Sequence, residues 1–396
     1  MHILLIHQAF ASLDEAGGTR HYELSKFLVA NGHQVTVIAS PVSYLTGAAS
    51  LKKAETVDGI RILRAYTYVA LHRSFVHRVF SFISFMVSSF LIGYRVKDVD
   101  IVWGTSPPIF QGFTAWLLAR VKKAKFLFEV RDLWPDFAIA VGVLKNPTLI
   151  KMSFWLEKFL YQHADQMMVN SPAYVKHVLS RGCKKVELIP NGADLSMFSE
   201  QDDGGFFRQK LGIDEKFVAV YAGAHGISND LQVVLESAAK LKDHPQIQIV
   251  FVGDGKEKNN LQQIAAIQNL SNVTFVPSVP KNEMAMILAA SQVCIAILKP
   301  LDEYKTTYPN KVFDYMASGK PIILAIDGVI RDVVEDAHCG IFVEPGNATA
   351  LANAVISLYQ QPQQAAELGR NGRNYLREHF DRQILAEKLL KLIEII

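Results

Sequence analysis

Short apolar runs alternate with longer amphipathic segments along almost the whole chain, and this alternation constrains the fold more than any other feature. The apolar runs of the first half have the length of buried strands. They are Ile3–His7, Gln34–Ala39, Ile60–Arg64, Ile101–Gly104, Phe126–Val130, Gln166–Val169 and Val186–Ile189. Helix-like segments lie between several of them. Strand and helix in repeated succession indicate a parallel sheet with helices on both faces.

The pattern begins again after a polar stretch at Gly192–Gly205, which is the strongest linker candidate. The second series of apolar runs is Val218–Ala222, Ile247–Val252, Val273–Val276, Val293–Ile297, Pro321–Ala325 and Gly340–Val343. A chain of 396 residues is long enough for two cores. We therefore predict two doubly wound α/β domains facing a central cleft, at 1–195 and 207–375. A linker at 196–206 joins them, and a C-terminal helix at 376–396 packs back on the first domain.

Composition and charge exclude several classes of protein. The formal net charge is only +3, and no run rich in Lys and Arg is interleaved with aromatic residues, so we expect no nucleic-acid partner. Cys183, Cys294 and Cys339 are far apart and form no Cys-x-x-Cys pair, which predicts reduced thiols and no structural zinc. The first residues read as a buried strand and not as a secretory signal, which predicts a cytoplasmic protein.

Glycine-containing loops follow several of the predicted strands. Gly17 and Gly18 follow the first strand, Gly223 and His225 follow the first strand of the second series, and Gly253 and Asp254 follow the next. Ligands of open α/β sheets bind at the carboxyl ends of strands, and glycine lets main-chain N–H groups approach a phosphate. Each loop alone is equally well explained as a plain turn. Together with Val276, at the end of a neighbouring strand, they predict a nucleotide site.

The segment Thr306–Pro321 has the pattern of a helix that could hold a diphosphate. Pro309 and Asn310 are good residues for a helix start, and Gly319 ends the helix. The free amides of its first turn and the Lys311 ammonium could bind phosphate. The candidate residues of this segment for binding the diphosphate-containing ligand are Thr306, Thr307, Asn310, Lys311, Val312 and Asp314. On spacing alone, Lys311 and Asp314 could equally be solvated helix residues.

This segment resembles the donor-site signature of glycosyltransferase family 4, whose members are retaining enzymes with the GT-B fold of two Rossmann-like domains. The matching residues are Pro309–Lys311 and Asp314–Pro321, which read PNK and DYMASGKP. Glu129–Asp136 (EVRDLWPD), Ile189–Asp194 (IPNGAD) and the glycine pair at 17–18 are similar to other motifs of the family. The resemblance covers essentially the whole chain. It is strongest to bacterial O-antigen and capsule transferases, including those that move N-acetyl-L-fucosamine.

The resemblance implies roles for single residues and marks departures from the family pattern. Asp314 stands where the family has a Glu that binds the ribose. Thr306 stands where the family has a second Glu, near the transferred sugar. The Gly223–Asp230 loop lacks the Arg and Lys that clamp the diphosphate in many members, so Lys311 and the helix amides are expected to carry more of the anion binding.

Arg131 and Asp132 occupy the region of the first domain where related enzymes often place a His near the donor sugar. Together with Lys311 they are the candidate catalytic residues. Lys311, helix N-termini and the glycine amides could stabilise the charge of a departing nucleoside diphosphate without a metal. We therefore expect no metal and no cofactor, with a UDP-sugar as co-substrate.

The run Val79–Tyr94 is strongly apolar and has basic residues on both sides. It fits a buried helix of the first domain, a helix in a membrane interface, or, least well, a membrane span. The family's acceptors are often polyprenyl-diphosphate-linked sugars, which favours a peripheral protein on the inner face of the cytoplasmic membrane, with contact through Arg73–Lys97.

The sequence thus predicts a retaining glycosyltransferase that moves a sugar, an N-acetylated hexose or a 6-deoxyhexose, from a UDP-sugar. The acceptor is lipid-linked or a glycan, in the biosynthesis of O-antigen, lipopolysaccharide or capsule. Two alternatives stay open. One is a non-catalytic sugar-nucleotide-binding assembly protein, and the other is a different GT-B enzyme such as a UDP-sugar epimerase.

Overall fold

The computed structural model describes residues 1–43, 47, 49–50, 52–69, 75–199 and 204–396. Within it the chain forms two compact α/β units. The first unit comprises Met1–Pro190 and Gln383–Ile396, and the second comprises Asn191–Arg382. Strands and helices are numbered below in chain order.

The first unit is built on an eight-stranded sheet. Its strands are β1 (His2–Ile6), β2 (Gln34–Ala39), β3 (Ala54–Val57), β4 (Ile60–Arg64), β5 (Ile101–Ser106), β6 (Lys125–Val130), β7 (Gln166–Val169) and β8 (Val186–Leu188). Its helices are α1 (Arg20–Ala30), α2 (Phe75–Arg95), α3 (Ile109–Lys122), α4 (Asp136–Ala140), α5 (Pro147–His163) and α6 (Pro172–Ser180). The strand order is β3-β4-β2-β1-β5-β6-β7-β8, and every pair is parallel except β3 with β4.

The second unit is built on a six-stranded, wholly parallel sheet in the order β11-β10-β9-β12-β13-β14. Its strands are β9 (Phe217–Ala222), β10 (Ile247–Val252), β11 (Val273–Val276), β12 (Val293–Ile297), β13 (Ile322–Ala325) and β14 (Gly340–Phe342). Its helices are α7 (Gly205–Leu211), α8 (Leu231–Lys240), α9 (Lys258–Ile267), α10 (Lys281–Ala289), α11 (Asn310–Ala317), α12 (Val329–Asp336), α13 (Ala348–Gln360) and α14 (Pro362–His379). Short 3-10 helices span Leu195–Met197, Ile227–Asn229 and Asp302–Thr306. The last helix, α15 (Arg382–Ile395), returns the chain to the first unit.

Each sheet is covered on both faces by hydrophobic residues. In β1, Leu4 and Ile6 belong to one core layer and Ile3 and Leu5 to the other. Because successive side chains of a strand point to opposite faces, a strand buried on both faces must be apolar throughout. This is the physical reason for the continuous apolar runs in the sequence, and it confirms the prediction of two doubly wound parallel-sheet units.

The structure divides the chain at different residues from those that the sequence suggested. The second unit begins at Asn191 and not after a linker at 196–206. Ala193 pairs with Asp381, and Phe198 is buried in the core of the second unit, so residues within the polar stretch Gly192–Gly205 already pack in that unit. Residues 200–203 of the predicted linker lie outside the described part of the chain.

The C-terminal segment also differs from its predicted bounds of 376–396. Helix α14 continues to His379 within the second unit, and α15 begins at Arg382. The apolar side chains of α15 pack on the core layer of Ile3 and Leu5. They are Leu385, Ala386, Leu389, Leu392 and Ile393. The segment that returns to the first unit is therefore the single helix α15, which starts later than the predicted residue 376.

Helix α2 contains the apolar run Val79–Tyr94. This helix is neither wholly buried nor a membrane span. Phe85 is buried in a core layer, whereas Phe80 and Leu91 are more than half exposed. Among the helices that the structure describes, none is both long enough and apolar enough to cross a membrane. Arg73, at one end of the predicted membrane contact, lies outside the described residues.

Both sheets reverse their direction of winding at one point, between β1 and β5 in the first unit and between β9 and β12 in the second. Ligands of open α/β sheets bind outside the carboxyl ends of the strands at such a switch point. His7 directly follows β1, and Gly223 directly follows β9. The topology therefore predicts a ligand site near His7 in the first unit and near Gly223 in the second.

Candidate active site

Helix α11 is anchored at the switch point of the second unit by Tyr315. Strands β9 and β12 pair only through Ala219–Val293 and Val220–Cys294, and they then separate. The Tyr315 hydroxyl accepts the Ala222 N–H at 2.9 Å and lies within 3.3 Å of the carbonyl oxygens of Ala222 and Ile295. This buried hydroxyl joins the two diverging strands and fixes α11 above them.

Lys311 lies one helical turn before Tyr315 and points toward the same strand end. Its Nζ donates to the Tyr221 hydroxyl at 2.7 Å and to Asn229 Oδ1 at 3.2 Å, and it lies 4.1 Å from the centre of the Tyr221 ring. All of these partners are neutral. Burial lowers the pKa of Lys311 to about 7. Within the described ranges no carboxylate forms an ion pair with this ammonium, so it is suited to receive an anionic ligand.

The glycine loops of the second unit are packed so closely that side chains would not fit. A Cβ at Gly253 would lie 1.9 Å from the carbonyl oxygen of Gly223, and one at Gly255 would lie 2.5 Å from that of His225. Their φ angles of +145° and +157° also disfavour other residues. At Gly223 a Cβ would lie 3.2 Å from the Lys311 Nζ. Glycine at 223 therefore keeps space open beside the ammonium.

His225 is fully buried beneath these loops, against the rings of Tyr221, Phe251 and Phe275. Neither ring nitrogen has a hydrogen-bond partner in the part of the chain that the structure describes. Burial, with the charge of Lys258 nearby, lowers the pKa of His225 to about 4, so the ring is neutral at pH 7. Buried polar groups are nearly always satisfied, so His225 is an exception, and its involvement in ligand binding stays a prediction.

The two carboxylates predicted for the donor site are both ion-paired. Asp314 lies 2.5 Å from the Lys281 ammonium of α10. Asp254 pairs with Lys258 at 2.9 Å and accepts the Ser278 N–H at 3.0 Å. A ribose hydroxyl at Asp314 would therefore share that carboxylate with Lys281. Sequence reasoning missed Lys281, because it lies 33 positions from its partner and no local motif marks it.

The remaining predicted donor residues of the second unit fall into two groups. Thr306 and Thr307 lie at the end of a 3-10 helix, where their hydroxyls donate to the carbonyl oxygens of Glu303 and Tyr304 at 2.6 and 2.9 Å. Each hydroxyl can therefore offer a ligand only its oxygen lone pairs. The side chains of Val276 and Val312 are buried in the core, so only their main chains can serve the site, whereas Asn310 is exposed at the start of α11.

The first unit brings together a second set of polar side chains, centred on Glu129 at the end of β6. Arg20 Nε and His21 Nε2 lie 2.9 and 2.5 Å from its carboxylate, and all three side chains are buried. Burial opposes ionisation of Glu129, but His21 and Arg20 outweigh it and hold its pKa well below its usual range. Burial lowers the pKa of His21 to about 4, so the neutral ring donates to the carboxylate.

This buried group fixes the segment that follows Gly17 and Gly18. The Arg20 guanidinium also donates to the carbonyl oxygens of Ile189 and Pro190, both at 2.6 Å. A Cβ at Gly18 would meet nothing within 4 Å, so the main chain there is open. The structure therefore places the predicted glycine loop at the start of α1, beside a rigid support that extends to the end of β8.

Arg131 and Asp132 follow β6, next to the same group. Arg131 donates to Thr105 Oγ1 at 2.9 Å and to the Pro107 carbonyl oxygen at 3.0 Å, so its guanidinium is held by the end of β5. Burial raises the pKa of Asp132 to about 6, although the charge of Arg131 acts in the opposite direction. A carboxyl group with such a pKa can hold or release a proton near neutral pH.

His7 is a polar residue of the first unit that sequence reasoning missed. It is buried at the end of β1, and its ring centre lies 4.2 Å from that of His21. Burial lowers its pKa well below the usual value. The only available signal was its position, since a His that directly follows the central strand of a doubly wound sheet lies at the switch point.

Two acidic patterns lie away from these strand ends. Asp98 and Asp100 form an Asp-x-Asp pattern, but they precede β5 at its amino end, where Asp100 accepts the His2 N–H. Glu157 and His177, with Asp136 nearby, have the spacing of metal ligands. The Arg181 guanidinium donates to Glu157 at 2.6 Å, so that carboxylate is already paired with a cation.

Comparison with known proteins identifies the family to which this chain belongs. A model described as a glycosyl transferase 4-like domain matches residues 16–192, and a model described as glycosyl transferases group 1 matches residues 204–375. A protein of Escherichia coli (strain K12), named for glycosyl transfer in colanic acid biosynthesis, is 24% identical over 93% of each chain.

Two solved structures are similar over nearly the whole chain. Sucrose-phosphate synthase from Thermosynechococcus elongatus has a TM-score of 0.80 at 21% identity and covers 99% of this chain and 98% of its own. The HepE protein of Anabaena in complex with UDP-glucose has a TM-score of 0.76 at 16% identity, with both chains fully covered. The chain therefore belongs to the glycosyltransferases of the GT-B fold, with a 4-like domain followed by a group 1 domain.

Proposed function

We propose that the protein is a retaining glycosyltransferase that takes a sugar from a UDP-sugar and passes it to a lipid-linked or glycan acceptor in surface polysaccharide biosynthesis. The observation that carries this proposal is the Lys311 ammonium, which is held by neutral partners beside Gly223 at the switch point of the second unit. The E. coli relative named for colanic acid biosynthesis supports a polysaccharide product. The HepE structure with UDP-glucose supports uridine as the base.

The geometry around Lys311 suits the diphosphate of such a donor. The free N–H groups of the first turn of α11 carry the positive end of the helix dipole, and the glycine loops allow close approach of the main chain. As the bond to the sugar breaks, negative charge grows on the departing diphosphate. A positive group fixed before the reaction stabilises that charge without having to reorganise. Lys311, Gly223 and Gly253 would supply this stabilisation.

In the second unit, Asp314 and Thr306 are expected to contact the sugar nucleotide. In the first unit, Arg131 and Asp132 are the candidate residues for the sugar chemistry. Asp314 would accept hydrogen bonds from the ribose while it remains paired with Lys281. The Thr306 hydroxyl offers only an acceptor, since its proton is donated to Glu303. Asp132, with a pKa of about 6, could exchange a proton with a sugar hydroxyl. An N-acetylated hexose or a 6-deoxyhexose follows from the resemblance of Pro309–Pro321 to O-antigen and capsule transferases.

The test of this proposal is turnover with a panel of UDP- and GDP-sugars and a polyprenyl-diphosphate-linked sugar as acceptor. We expect one UDP-sugar to give a glycosylated lipid, together with slow hydrolysis of the donor when acceptor is left out. The anomeric configuration of the product, read by NMR, should match that of the donor.

Three results would contradict the proposal in different parts. An inverted product would exclude retention, and turnover with GDP-sugars alone would exclude uridine. Tight UDP-sugar binding with neither transfer nor hydrolysis across the panel would favour a non-catalytic sugar-nucleotide-binding protein.

A further inference from the structure

Helix α2 exposes apolar residues where a surface helix normally exposes polar ones. Its outward side chains recur at intervals of three or four residues and so form one face. They are Phe80, Ile83, Val87, Leu91 and Tyr94, with exposed fractions from 41% to 61%. The helix contains no Asp or Glu. A solvated surface helix would carry charged residues at these five positions.

The inward face of α2 carries several serines beside the buried Phe85. Ser81 and Ser89 are buried, and the Ser89 hydroxyl donates to the Met86 carbonyl oxygen at 3.2 Å. The Ser88 hydroxyl donates to the Tyr66 carbonyl oxygen at 2.6 Å, and Ser84 accepts the Tyr68 N–H at 2.8 Å. These serines therefore help to attach the helix to its own unit, while the five apolar side chains of the outward face stay exposed.

The exposed apolar surface continues onto α5. Met152 and Trp155 are 60% and 63% exposed, and Leu149 is 39% exposed. Trp155 stacks on Phe159, which in turn contacts Trp116 of α3 with ring centres 4.8 Å apart. The rings thus connect α5 to α3, which packs beside α2. We call the outward residues of α2 and α5 named here the apolar face.

Helices α2, α3 and α5 run in the same direction, because the same end of each is joined to the next. Lys122 of α3 donates to the carbonyl oxygens of Tyr94 and Val96, at the end of α2. Arg120 donates to the carbonyl oxygen of His163, at the end of α5. The C-terminal ends of the three helices therefore lie at one edge of the apolar face.

Basic residues surround the apolar face. The exposed ones on or just after the three helices are Arg95, Lys97, Arg120, Lys123, Lys125, Lys151 and Lys158. The single acid within the three helices is Glu157, which is buried and paired with Arg181 and His177. Asp100 and Asp165, at the same edge, accept the main-chain N–H groups of His2 and Phe126.

A cavity of about 450 Å³ opens beside the end of α2. Arg61, Arg95 and Lys97 line it, with Asp98 as its acidic group. Three cations around one cavity are suited to an anionic group of the size of a phosphate. Because Leu91 and Tyr94 lie on the last turns of the same helix, an anionic group here would be close to the apolar face.

We propose that the apolar face and its basic surround dock on the surface of an anionic phospholipid bilayer, with Arg61, Arg95 and Lys97 holding a lipid phosphate. Aromatic and aliphatic side chains insert at the boundary between headgroups and acyl chains, and the cations attract the negative surface. The charge favours this occupant over a second copy of the chain, which would bring the same cations to the contact. The surface extends beyond the segment Arg73–Lys97 because α5 contributes Trp155 and Met152.

The experiment is sedimentation of the purified full-length protein with vesicles of phosphatidylcholine alone or with added phosphatidylglycerol. We expect binding that needs the anionic lipid and that weakens as salt is raised. The variant Leu91→Ser/Trp155→Ser should lose at least about tenfold in vesicle affinity, and Arg95→Gln/Lys97→Gln should lose the preference for anionic lipid. Ile267→Ser, at an 80% exposed position of α9 in the second unit, is the matched apolar control. Lys240→Gln is the matched charge control.

Three outcomes would overturn the inference. They are no binding of the wild-type protein to anionic vesicles, equal binding by wild type and the Leu91/Trp155 variant, and a dimer in sedimentation equilibrium that the same variant abolishes. The last outcome would assign the apolar face to a second copy of the chain. If free inorganic phosphate occupies the cavity as readily as the protein binds anionic vesicles, the cavity is a simple anion site and not a site for a lipid phosphate. UDP affinity, measured on every variant, separates misfolding and failure of the donor site from failure of the docking surface.

Discussion

The Lys311 ammonium donates to the Tyr221 hydroxyl at 2.7 Å, and the same hydroxyl donates onward to the Ala224 carbonyl oxygen at 2.8 Å. These residues are 90 positions apart, on α11 and β9. The hydroxyl therefore couples the position of the cation to the turn that begins the glycine loop. Its hydrogen-bond direction is fixed, because its single proton is used by Ala224.

Tyr221→Phe is expected to weaken UDP binding by at least about fivefold, since a lost hydrogen bond is worth about 1 kcal/mol, and more when one partner is charged. The change leaves the ring beneath the ammonium but removes the acceptor that positions it, and the Ala224 carbonyl oxygen loses its donor. Isothermal titration with UDP measures the effect. Tyr359→Phe, on the partly exposed α13, is the control. Equal affinity in wild type and Tyr221→Phe would show that the hydroxyl does not position Lys311 for the ligand.

The UDP affinity of the wild-type protein is expected to fall as pH rises above 7. Burial lowers the pKa of Lys311 to about 7, and a bound diphosphate favours the charged form and raises that pKa. Affinity is therefore greatest below pH 7 and declines through the alkaline range, by up to about tenfold for each pH unit, until the pKa of the complex is reached. Titrations between pH 6 and 9 test this prediction.

The variant Lys311→Arg provides the comparison for that pH series. A guanidinium stays charged throughout the range, so any UDP binding that the variant retains should not change with pH. The same slope in wild type and Lys311→Arg would assign the pH dependence to another group.

Tyr315→Phe is expected to destabilise the second unit by about 1–3 kcal/mol, the cost of leaving a buried polar group without a partner. The lost hydroxyl accepts the Ala222 N–H and bridges toward the Ile295 carbonyl oxygen where β9 and β12 separate. Hydrogen exchange at the Ala222 amide should become at least about fivefold faster. An unchanged exchange rate, with Tyr359→Phe again as the control, would contradict the anchoring role of Tyr315.

Asp132→Asn is expected to stabilise the first unit while reducing glycosyl transfer. The folded-state pKa of about 6 lies above the ordinary value of about 4, so ionised Asp132 costs stability. Protonated Asp132 contributes its full share to the free energy of unfolding of the wild type below pH 4. This contribution is lost as pH rises from 4 to 6. Above pH 6 the variant should therefore be more stable by about 1–3 kcal/mol.

Thermal unfolding at pH 4 and pH 7.5 tests the prediction for Asp132, with Asp243→Asn on the surface of the second unit as the control. The advantage of the variant should appear only at the higher pH. UDP affinity should be unchanged, because the nucleotide site that we propose lies in the second unit. A variant that is less stable at both pH values, or one that transfers sugar at the wild-type rate, would remove Asp132 from the proposed mechanism.

The fold was largely predictable from the sequence, because strands buried on both faces must be continuously apolar. Strand β3 escaped notice since Ala54–Val57 is short, lies at an edge and has no buried residue, so it carries no apolar signal. The unit boundary was misplaced for a related reason. Polar composition marks a surface stretch, whereas the boundary depends on contacts such as Ala193 with Asp381, which lie far apart in sequence.

The candidate site was predictable only where a local pattern marked it. Gly223, Gly253 and Lys311 follow from strand ends and from a helix start. Tyr221 and Lys281 do not, because an aromatic residue in a strand and a lysine at a helix start are ordinary features. Their roles depend on contacts with Lys311 and Asp314 across the sheet, which spacing along the chain does not reveal.

The most direct test of the donor-site assignment is isothermal titration of UDP into wild type, Lys311→Met and Lys240→Met at pH 7. Lys240 is an exposed lysine at the end of α8 and serves as the matched control. The account predicts that Lys311→Met binds UDP about 10- to 100-fold more weakly, as expected for loss of a charged hydrogen bond, and that Lys240→Met binds like wild type. Wild-type affinity in Lys311→Met would contradict it.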